Sequence, residues 1–166
     1  MPKMVANENR KLFWVPIIAN HRLPTVAELS AGLDISMLVT AADFNLGATG
    51  EEAITDPPLN AGGNDASPGR TTYEAAMNFY RWTTAVEDQA WDTFTGPGLA
   101  GFLAQRIGKD YRLPWVAADQ VQVYDTLTGR QMILSPPSGS GFEKFRQVFY
   151  VQSARTDERA VVAAAA

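Results

Sequence analysis

The feature of this sequence that most constrains its fold is a run of chain breakers between residues 43 and 70. Eight glycines and prolines fall in this stretch, and residues 60–70 (NAGGNDASPGR) contain no large apolar side chain. Because glycine and proline interrupt helices and strands alike, we predict a long loop here, with at most a brief strand near EEAIT. Loops of this length are uncommon inside compact domains and are usually functional or disordered. The core must therefore come from the segments on either side.

The chain of 166 residues is long enough for one domain with a core and too short for two, so we assign residues 1–166 to a single domain. It contains no cysteine, which excludes disulfides, thiolate nucleophiles and cysteine-based zinc sites. No apolar run approaches the roughly 18 residues that cross a bilayer, and the first residues lack the apolar stretch of a signal peptide. We therefore expect a protein that is made and used without a membrane.

Alternation of apolar and polar residues predicts several β-strands. In residues 119–127 (DQVQVYDTL), Val121 and Val123 would point inward and Tyr124 outward. Residues 11–19 (KLFWVPIIA) contain an internal proline, so we predict an edge strand or an extended arm there. Further strands are predicted at residues 33–41, 71–82, 99–107, 131–135 and 142–154.

Two stretches have the Thr-x-x-Glu spacing of a capping box, in which the threonine begins a helix. Thr25 and Glu28 predict a short helix over residues 26–31. Thr84 and Glu87 predict a longer helix, ended by the Gly-Pro pair that follows at 96–97.

Several strands at short spacing with one clear helix indicate a mainly β protein. We predict a β-sandwich with one flanking α-helix and a long inter-strand loop at 43–70. Residues 1–20 would form an N-terminal arm or edge strand, and residues 154–166, which show no periodicity, a C-terminal arm.

One motif matches a nucleotide-binding fingerprint. GPGLAG at residues 96–101 fits G-x-G-x-x-G, and Asp119 follows at about the expected distance. The fingerprint needs a strand before the glycines and a helix after them, so that the phosphates meet the helix N-terminus. Because a helix is predicted before this motif and a strand after it, we interpret it as a helix-to-strand turn.

No other pattern indicates catalysis. His21 is the only histidine and has no nucleophile motif beside it, so we interpret it as a surface or packing residue. The pairs of adjacent acids at 51–52, 87–88 and 157–158 lie in polar contexts and are predicted to be solvated. We therefore expect no enzymatic activity, no catalytic residue, no cofactor and no bound metal.

Charge is distributed unevenly along the chain, whose net charge is -4. Residues 49–110 carry nine acids and four bases, whereas residues 1–48 carry four of each and residues 111–166 carry five acids and six bases. No stretch resembles the basic patch of a phosphate-binding surface, so we expect no tight binding of nucleic acid.

Read end to end, the sequence resembles the major tail tube protein of long, flexible-tailed (siphovirus-type) bacteriophages, particularly those of actinobacteria. The resemblance covers roughly residues 11–163, rests on the order and spacing of its motifs, and is weakest around residues 43–66. The motifs are KLFWVPIIAN, PTVAELSAGLDIS, PGR before YEAAMNFYR, AWDTFTGPGLAGFLAQRIG, AADQVQVYDTLTGRQ, PP and FEKFRQVFYV.

The resemblance implies a structural virion protein with this β-sandwich fold. Its subunits would form hexameric rings, and the rings would stack into a hollow tube through which the genome is ejected. Partners would be further copies of the chain, a tape measure protein in the lumen, and the tail terminator and distal tail proteins, while DNA passes without specific binding. The protein would be found in the virion tail, and in the host cytoplasm during assembly.

The resemblance also implies which residues contact neighbouring subunits. The loop at 43–70 would reach into the next ring and be ordered there, and the arms would add contacts. The excess acid of residues 49–110 would contribute to the lumen and repel DNA. The expected loop contacts are Asn45, Glu51, Glu52, Asp56, Asn60, Asn64, Asp65 and Arg70. The expected arm contacts are Phe13, Trp14, Arg155 and Arg159.

Two alternatives stay open at this point. A tail terminator or another ring-forming connector would share the fold but cap the tube. A β-sandwich that binds carbohydrate would display Trp82 or Trp115 for stacking on sugars.

Overall fold

The computed structural model describes residues 1–135 and 140–164. The PP motif and part of the SGSG stretch, as well as the last two residues of the predicted C-terminal arm, lie outside the described residues. The strands are β1 Arg10–Val15, β2 Leu33–Asp34, β3 Asn45–Thr55, β4 Ala66–Tyr80, β5 Ala100–Ile107, β6 Gln120–Thr128, β7 Met132–Ile133, β8 Lys144–Val151 and β9 Asp157–Val161. The helices are α1 Val26–Ser30, α2 Gln89–Thr93 and a 3-10 turn at Ser153–Arg155.

The nine strands form one antiparallel sheet in the order β2-β1-β5-β6-β8-β4-β3, with β7 paired to β8 and β9 paired to β6. The sheet folds over on itself. Trp14 of β1 packs on Phe149 of β8, with ring centroids 5.6 Å apart, although two strands separate β1 from β8 in the sheet. This two-layered arrangement confirms the predicted mainly β, sandwich-like fold.

The alternation of side chains along β1 serves two separate cores. Leu12 and Trp14 belong to the cluster between the two layers, together with residues of β4, β8 and α2. Phe13 and Val15 point the other way, into a cluster covered by α1 and the C-terminal segment. Because both faces of β1 are buried, it reads as a continuous apolar run rather than as an edge strand.

The first capping box is confirmed. The Glu28 backbone N–H donates to the Thr25 hydroxyl at 3.2 Å, and the Glu28 carboxylate accepts from the Thr25 backbone N–H at 2.8 Å. These two bonds satisfy backbone donors that the first turn of α1 leaves free.

The predicted longer helix after Thr84 is wrong over its first half, because α2 begins only at residue 89. The Thr84 hydroxyl does donate to the Glu87 carboxylate at 2.8 Å, but this contact closes a turn. Asp88 accepts from the Arg81 guanidinium at 2.8 Å and from the Trp82 backbone N–H at 3.3 Å. These bonds tie Asp88 back to Arg81 and Trp82, and residues 85–87 form a turn where the start of the helix was predicted. The structure therefore has two short helices, α1 and α2, and not one long flanking helix.

The predicted loop at 43–70 is wrong over most of its length. β3 and β4 form a long antiparallel hairpin, and only residues 56–65 between them lie outside strands. The breakers are accommodated at irregular positions: the pairing shifts register between residues 48 and 50 and again between 51 and 53. Gly47 has φ 136, and a Cβ on Gly69 would come within 2.8 Å of the Glu52 carbonyl oxygen. Glycine is therefore required where a regular strand residue would not fit.

The predicted strand at 33–41 is reduced to β2 and one isolated bridge between Val39 and Phe79. Ser36 interrupts it. Its hydroxyl accepts from the Leu12 backbone N–H at 2.9 Å and donates to the Leu12 carbonyl at 3.2 Å. The Ile35 N–H still donates to the Leu12 carbonyl at 3.0 Å, so the Ser36 side chain replaces only one bond of the next ladder pair.

Each predicted arm contains one strand of the sheet, although residues 1–9 lie outside it and are mostly exposed. β1 lies between β2 and β5, and β9 pairs with β6. Ala160 and Val162 are fully buried in the second core, which explains why an apolar C-terminus without periodicity is fixed on the body. Tyr124, predicted to point outward, is buried as well, because β6 is covered on both faces.

Candidate functional site

The most exposed element of the structure is the hairpin, which we define as residues 45–74. It carries five acids and one base, for a net charge of -4, which equals the net charge of the whole chain. The rest of the chain therefore holds thirteen acids and thirteen bases. The five acids are Glu51, Glu52, Asp56, Asp65 and Glu74, and all of them are exposed.

All eight predicted loop contacts lie on this hairpin and are exposed to solvent. The strands bring them onto a single element, from Asn45 at its base to Asn60 and Asn64 at its tip. The tip also exposes apolar surface, since Leu59 is fully exposed and Ile54 is about half exposed. A two-stranded ribbon with solvent on both faces is at best marginally stable on its own in water.

The hairpin is anchored to the body at its base. Tyr73 of β4 packs edge-on against Tyr124 of β6, with ring centroids 6.4 Å apart, and Gly47 lies beside the Tyr124 hydroxyl. Burial raises the pKa of Tyr124 to about 12, with a further contribution from the negative charge of Glu158. The Tyr73 pKa is raised for the same two reasons. Both hydroxyls stay neutral at ordinary pH. The base of the hairpin is therefore packed against the body without charge, and the charged tip projects from it.

The outer edge of β3 is the second notable feature of the hairpin. Among the described residues, β3 pairs with β4 alone and is the last strand on its side of the sheet. An edge strand leaves backbone N–H and C=O groups available to another chain. The two register shifts and the paired acids Glu51 and Glu52 limit such pairing to partners that fit this irregular edge.

The predicted arm contacts divide into two groups. Phe13 and Trp14 are 8% and 2% exposed and belong to the two cores, so their prediction as arm contacts is wrong. Their sequence context resembled an arm because a proline follows them, but β1 ends at Val15, just before that proline. Arg155 and Arg159 are exposed on the C-terminal segment, where Arg155 lies 3.9 Å from the Asp125 carboxylate.

The two tryptophans that the carbohydrate-binding alternative would use differ in their exposure to solvent. Trp115 is 4% exposed and packs edge-on against Phe13 with ring centroids 5.4 Å apart, so it cannot present a stacking face. Trp82 is 42% exposed. The GPGLAG motif does connect α2 to β5, which confirms the helix-to-strand order predicted for it.

Sequence reasoning missed a buried ion pair between Arg106 of β5 and Asp119. Their side chains are almost inaccessible to solvent, and the guanidinium donates to the carboxylate at 2.9 Å. Arg106 also donates to the carbonyls of Asp110, Leu113 and Pro114, which closes the loop between β5 and β6. Burial by itself would raise the pKa of Asp119, but hydrogen bonds from Lys109 and Arg106 outweigh it and lower that pKa.

Metal-binding groups, membrane-spanning helices and surface grooves complete the description of the surface. Within residues 1–135 and 140–164, histidines and acids do not gather into a group of three or more that could hold a metal. The same part of the chain contains no helix long and apolar enough to cross a membrane. Three open grooves lie on the described surface, two beside the N-terminal segment and residues 39–49 and one between Met4 and strands β5, β6 and β9.

Comparisons with known proteins address the fold and the family of the chain. A search of curated proteins finds no match. Among solved structures, a chain of the anti-feeding prophage (AFP) baseplate, determined by cryo-EM with six-fold symmetrisation, has a similar fold with a TM-score of 0.54. Its sequence is 11% identical, and the alignment covers 92% of this chain and 94% of that one. The family model described as phage tail tube protein matches residues 1–165, and the chain therefore belongs to the phage tail tube protein family.

Proposed function

We propose that this protein is the major tail tube subunit of a long, non-contractile phage tail. Its copies form hexameric rings, the rings stack, and the bore conducts the genome during ejection. Family membership over residues 1–165 supports the assignment, and the order of motifs similar to actinobacteriophage tube proteins supports the siphovirus type. The baseplate chain of similar fold comes from an assembly described as six-fold symmetrised, and we propose the same symmetry for the rings.

The observation that carries this proposal is the exposed hairpin. Its tip offers an apolar side chain, Leu59, to solvent on a ribbon that has little core of its own. Such a segment becomes stable when a second molecule covers it. We propose that Asn45, Arg70 and the acids and asparagines between them contact neighbouring subunits, and that Arg155 and Arg159 add contacts from the C-terminal segment.

We further propose that acids of residues 49–110 contribute to the lumen. A bore lined with carboxylates repels phosphate, so DNA can slide without binding. Residues 49–110 contain nine acids, and five of them are exposed on the hairpin. Asp88, by contrast, is buried against Arg81 and cannot face the lumen. A cryo-EM map of the tail that places most of these acids on the outer wall would contradict this part.

The partners proposed for the subunit are its own copies, a tape measure protein inside the tube, and terminator and distal proteins at the two ends. The subunit would act without catalysis or cofactor, in the virion tail and, before that, in the host cytoplasm. A tail terminator or connector ring is the second candidate, because it shares the fold. Carbohydrate binding rests on Trp82 alone, since Trp115 is buried.

Negative-stain microscopy of the purified protein tests the three candidates. We expect long regular tubes with a central bore. Single rings that never stack would favour the terminator, and monomers that bind glycan through Trp82 would favour the lectin-like candidate.

Hydrogen exchange tests the role of the hairpin separately. We expect backbone amides of residues 45–72 to exchange quickly in the monomer and slowly in the tube, while amides of β5 and β6 are protected in both. Equal protection of the hairpin in monomer and tube would overturn its proposed role in assembly.

A further inference from the structure

Two buried cations lie around a tryptophan of the second core. Lys11 of β1, Arg106 of β5 and Trp115 are 6%, 1% and 4% exposed. The guanidinium carbon of Arg106 lies 5.3 Å from the centre of the Trp115 ring, and the Lys11 nitrogen lies 5.4 Å from it. Both cations also donate to the carbonyl of Leu113, at 3.0 and 2.9 Å. These side chains therefore form one compact group, which we call the Lys11–Arg106–Trp115 cluster.

Two hydrogen-bond donors of this cluster lack a partner. Among the residues that the structure describes, no acceptor lies within hydrogen-bonding distance of Arg106 Nε or of the Trp115 indole nitrogen. Both atoms carry an N–H and can only donate. A buried donor without an acceptor bears the full penalty of its desolvation, and such atoms are rare in native proteins. The acceptor that satisfies them must come from outside the chain.

The charge of the cluster indicates which acceptor fits. Lys11 and Arg106 are two buried cations, whereas Asp119 supplies a single buried carboxylate, which Arg106 shares with Lys109. Burial lowers the pKa of Lys11 more than the carboxylates of Asp34 and Asp119 raise it, and the charge of Arg106 lowers it further. A negative ion would offset this excess of buried positive charge, whereas water would supply an acceptor without charge.

The unpartnered nitrogen of Arg106 lies on the edge of the guanidinium that does not hold Asp119. In a guanidinium group the Nε–H shares an edge with Nη2. Nη2 donates to the carbonyls of Asp110 and Leu113, whereas Nη1 donates to the Asp119 carboxylate at 2.9 Å. An anion at Nε would therefore lie on the side where Arg106 and Lys11 share Leu113. The three surface grooves are lined by other residues, so a ligand of this cluster must be small.

We propose that the Lys11–Arg106–Trp115 cluster binds a small monovalent anion, of which chloride is the common example in cells. The indole N–H and Arg106 Nε donate to the ion, and the Lys11 ammonium adds positive charge. The ion would stabilise the loop at 108–119, because Lys11 and Arg106 hold the carbonyls of that loop. The site belongs to the single subunit, so it does not depend on whether copies of the chain form tubes.

Urea unfolding in two sodium salts tests the site. Sodium chloride replaces sodium gluconate stepwise at constant ionic strength, because gluconate is too large for a closed cluster. We expect the urea midpoint of the native protein to rise with the chloride concentration, since an ion that binds only the folded state stabilises it by mass action. A midpoint that does not change with chloride would overturn the proposal.

Two matched variants separate a bound ion from a general effect of salt. Trp115→Phe keeps an aromatic ring and removes the indole N–H, so most of the rise with chloride should be lost. Trp82→Phe makes the same change at a position that is 42% exposed and outside the cluster, and its midpoint should rise as in the native protein. An equal dependence on chloride in both variants would contradict the site.

X-ray diffraction locates the ion without any substitution, which keeps the proposal testable if Trp115→Phe does not fold. Crystals of the native protein soaked in sodium bromide should show anomalous scattering at hydrogen-bonding distance from Arg106 Nε and the Trp115 indole nitrogen. Bromide at other positions only, which would be an adventitious ion only, or a water molecule at this position, would overturn the proposal.

Discussion

The hairpin and the body of this protein differ in burial and in charge. The body buries aromatic and aliphatic side chains on both faces of β1, β5 and β6, and its acids and bases are equal in number. The hairpin continues two strands of the same sheet past the edge of the core, exposes nearly every side chain and holds the net charge of the chain. One sheet thus provides both a packed framework and a ribbon that is exposed to solvent on both faces.

The difference shows where stability and assembly should be sensitive to mutation. Stability depends on the area buried and on the polar groups satisfied inside the body. In the proposed function, assembly depends on the hairpin, which contributes little to the buried area or to the satisfied polar groups of the body. Substitutions in the two regions should therefore separate the free energy of unfolding of the subunit from its capacity to form tubes, and the following changes test that separation.

The largest effect is expected for Trp14→Ala. Trp14 contacts Phe94 and Phe149 between the two layers, with ring centroids 5.3 and 5.6 Å away. Removing a buried ring leaves a cavity, and the free energy of unfolding should fall by about 3–5 kcal/mol. Urea unfolding of the isolated subunit measures this. A loss below about 1 kcal/mol would show that the two-layered core does not dominate stability.

Next in size is Asp119→Asn, which leaves the Arg106 guanidinium buried without its counter-charge. Breaking a buried pair in this way costs about 3 kcal/mol or more. The loss should also depend on pH. Because the folded pKa of Asp119 lies below its ordinary value of 3.8, its ionised form stabilises the fold above that value. This contribution disappears as the pH falls through the folded pKa.

The pH dependence distinguishes the ion pair from simple packing. Between about pH 5 and about pH 3, the native protein should lose more stability than the asparagine variant, so their urea midpoints should converge. Parallel midpoints over this range would contradict a role for the ionised carboxylate.

A smaller effect is expected at the start of α1. Thr25→Ala removes the hydroxyl that caps the helix and should cost about 1 kcal/mol. Thr84→Ala is the matched control, because Thr84 precedes Glu87 with the same spacing but closes only a turn. Its cost should stay within about 0.5 kcal/mol. Equal losses in chemical denaturation would mean that the capping geometry contributes nothing particular.

The smallest effect on the subunit is expected at the tip. Leu59→Ser changes a fully exposed side chain, so the free energy of unfolding should shift by less than about 0.5 kcal/mol. Tube formation, followed by light scattering and microscopy, should nevertheless be impaired, because the substitution removes the apolar side chain through which the tip is proposed to contact a neighbouring subunit. Destabilisation of the monomer by more than about 1 kcal/mol would remove the distinction between hairpin and body.

Several elements could be predicted from local sequence alone. The Thr25–Glu28 spacing predicted α1, and the apolar alternation predicted β5, β6 and β8 with nearly correct limits. The eight hairpin residues were expected as contacts only from the resemblance to tail tube proteins, which placed them in one loop. The strands that carry them were not predicted, because glycines and prolines nearby in sequence indicated a loop, whereas the strands form through pairing between β3 and β4.

The sequence by itself determined the capping of α1, the alternation that builds the body and the concentration of acid in one segment, since all three depend on residues close together in the chain. Only the tertiary structure decided that Trp14 and Trp115 are core, that Arg106 and Asp119 pair, and that glycines in the middle of the chain sit at bulges of a hairpin. The physical reason is that burial, ion pairing and strand register are set by partners far away in sequence, whose identity no local pattern contains.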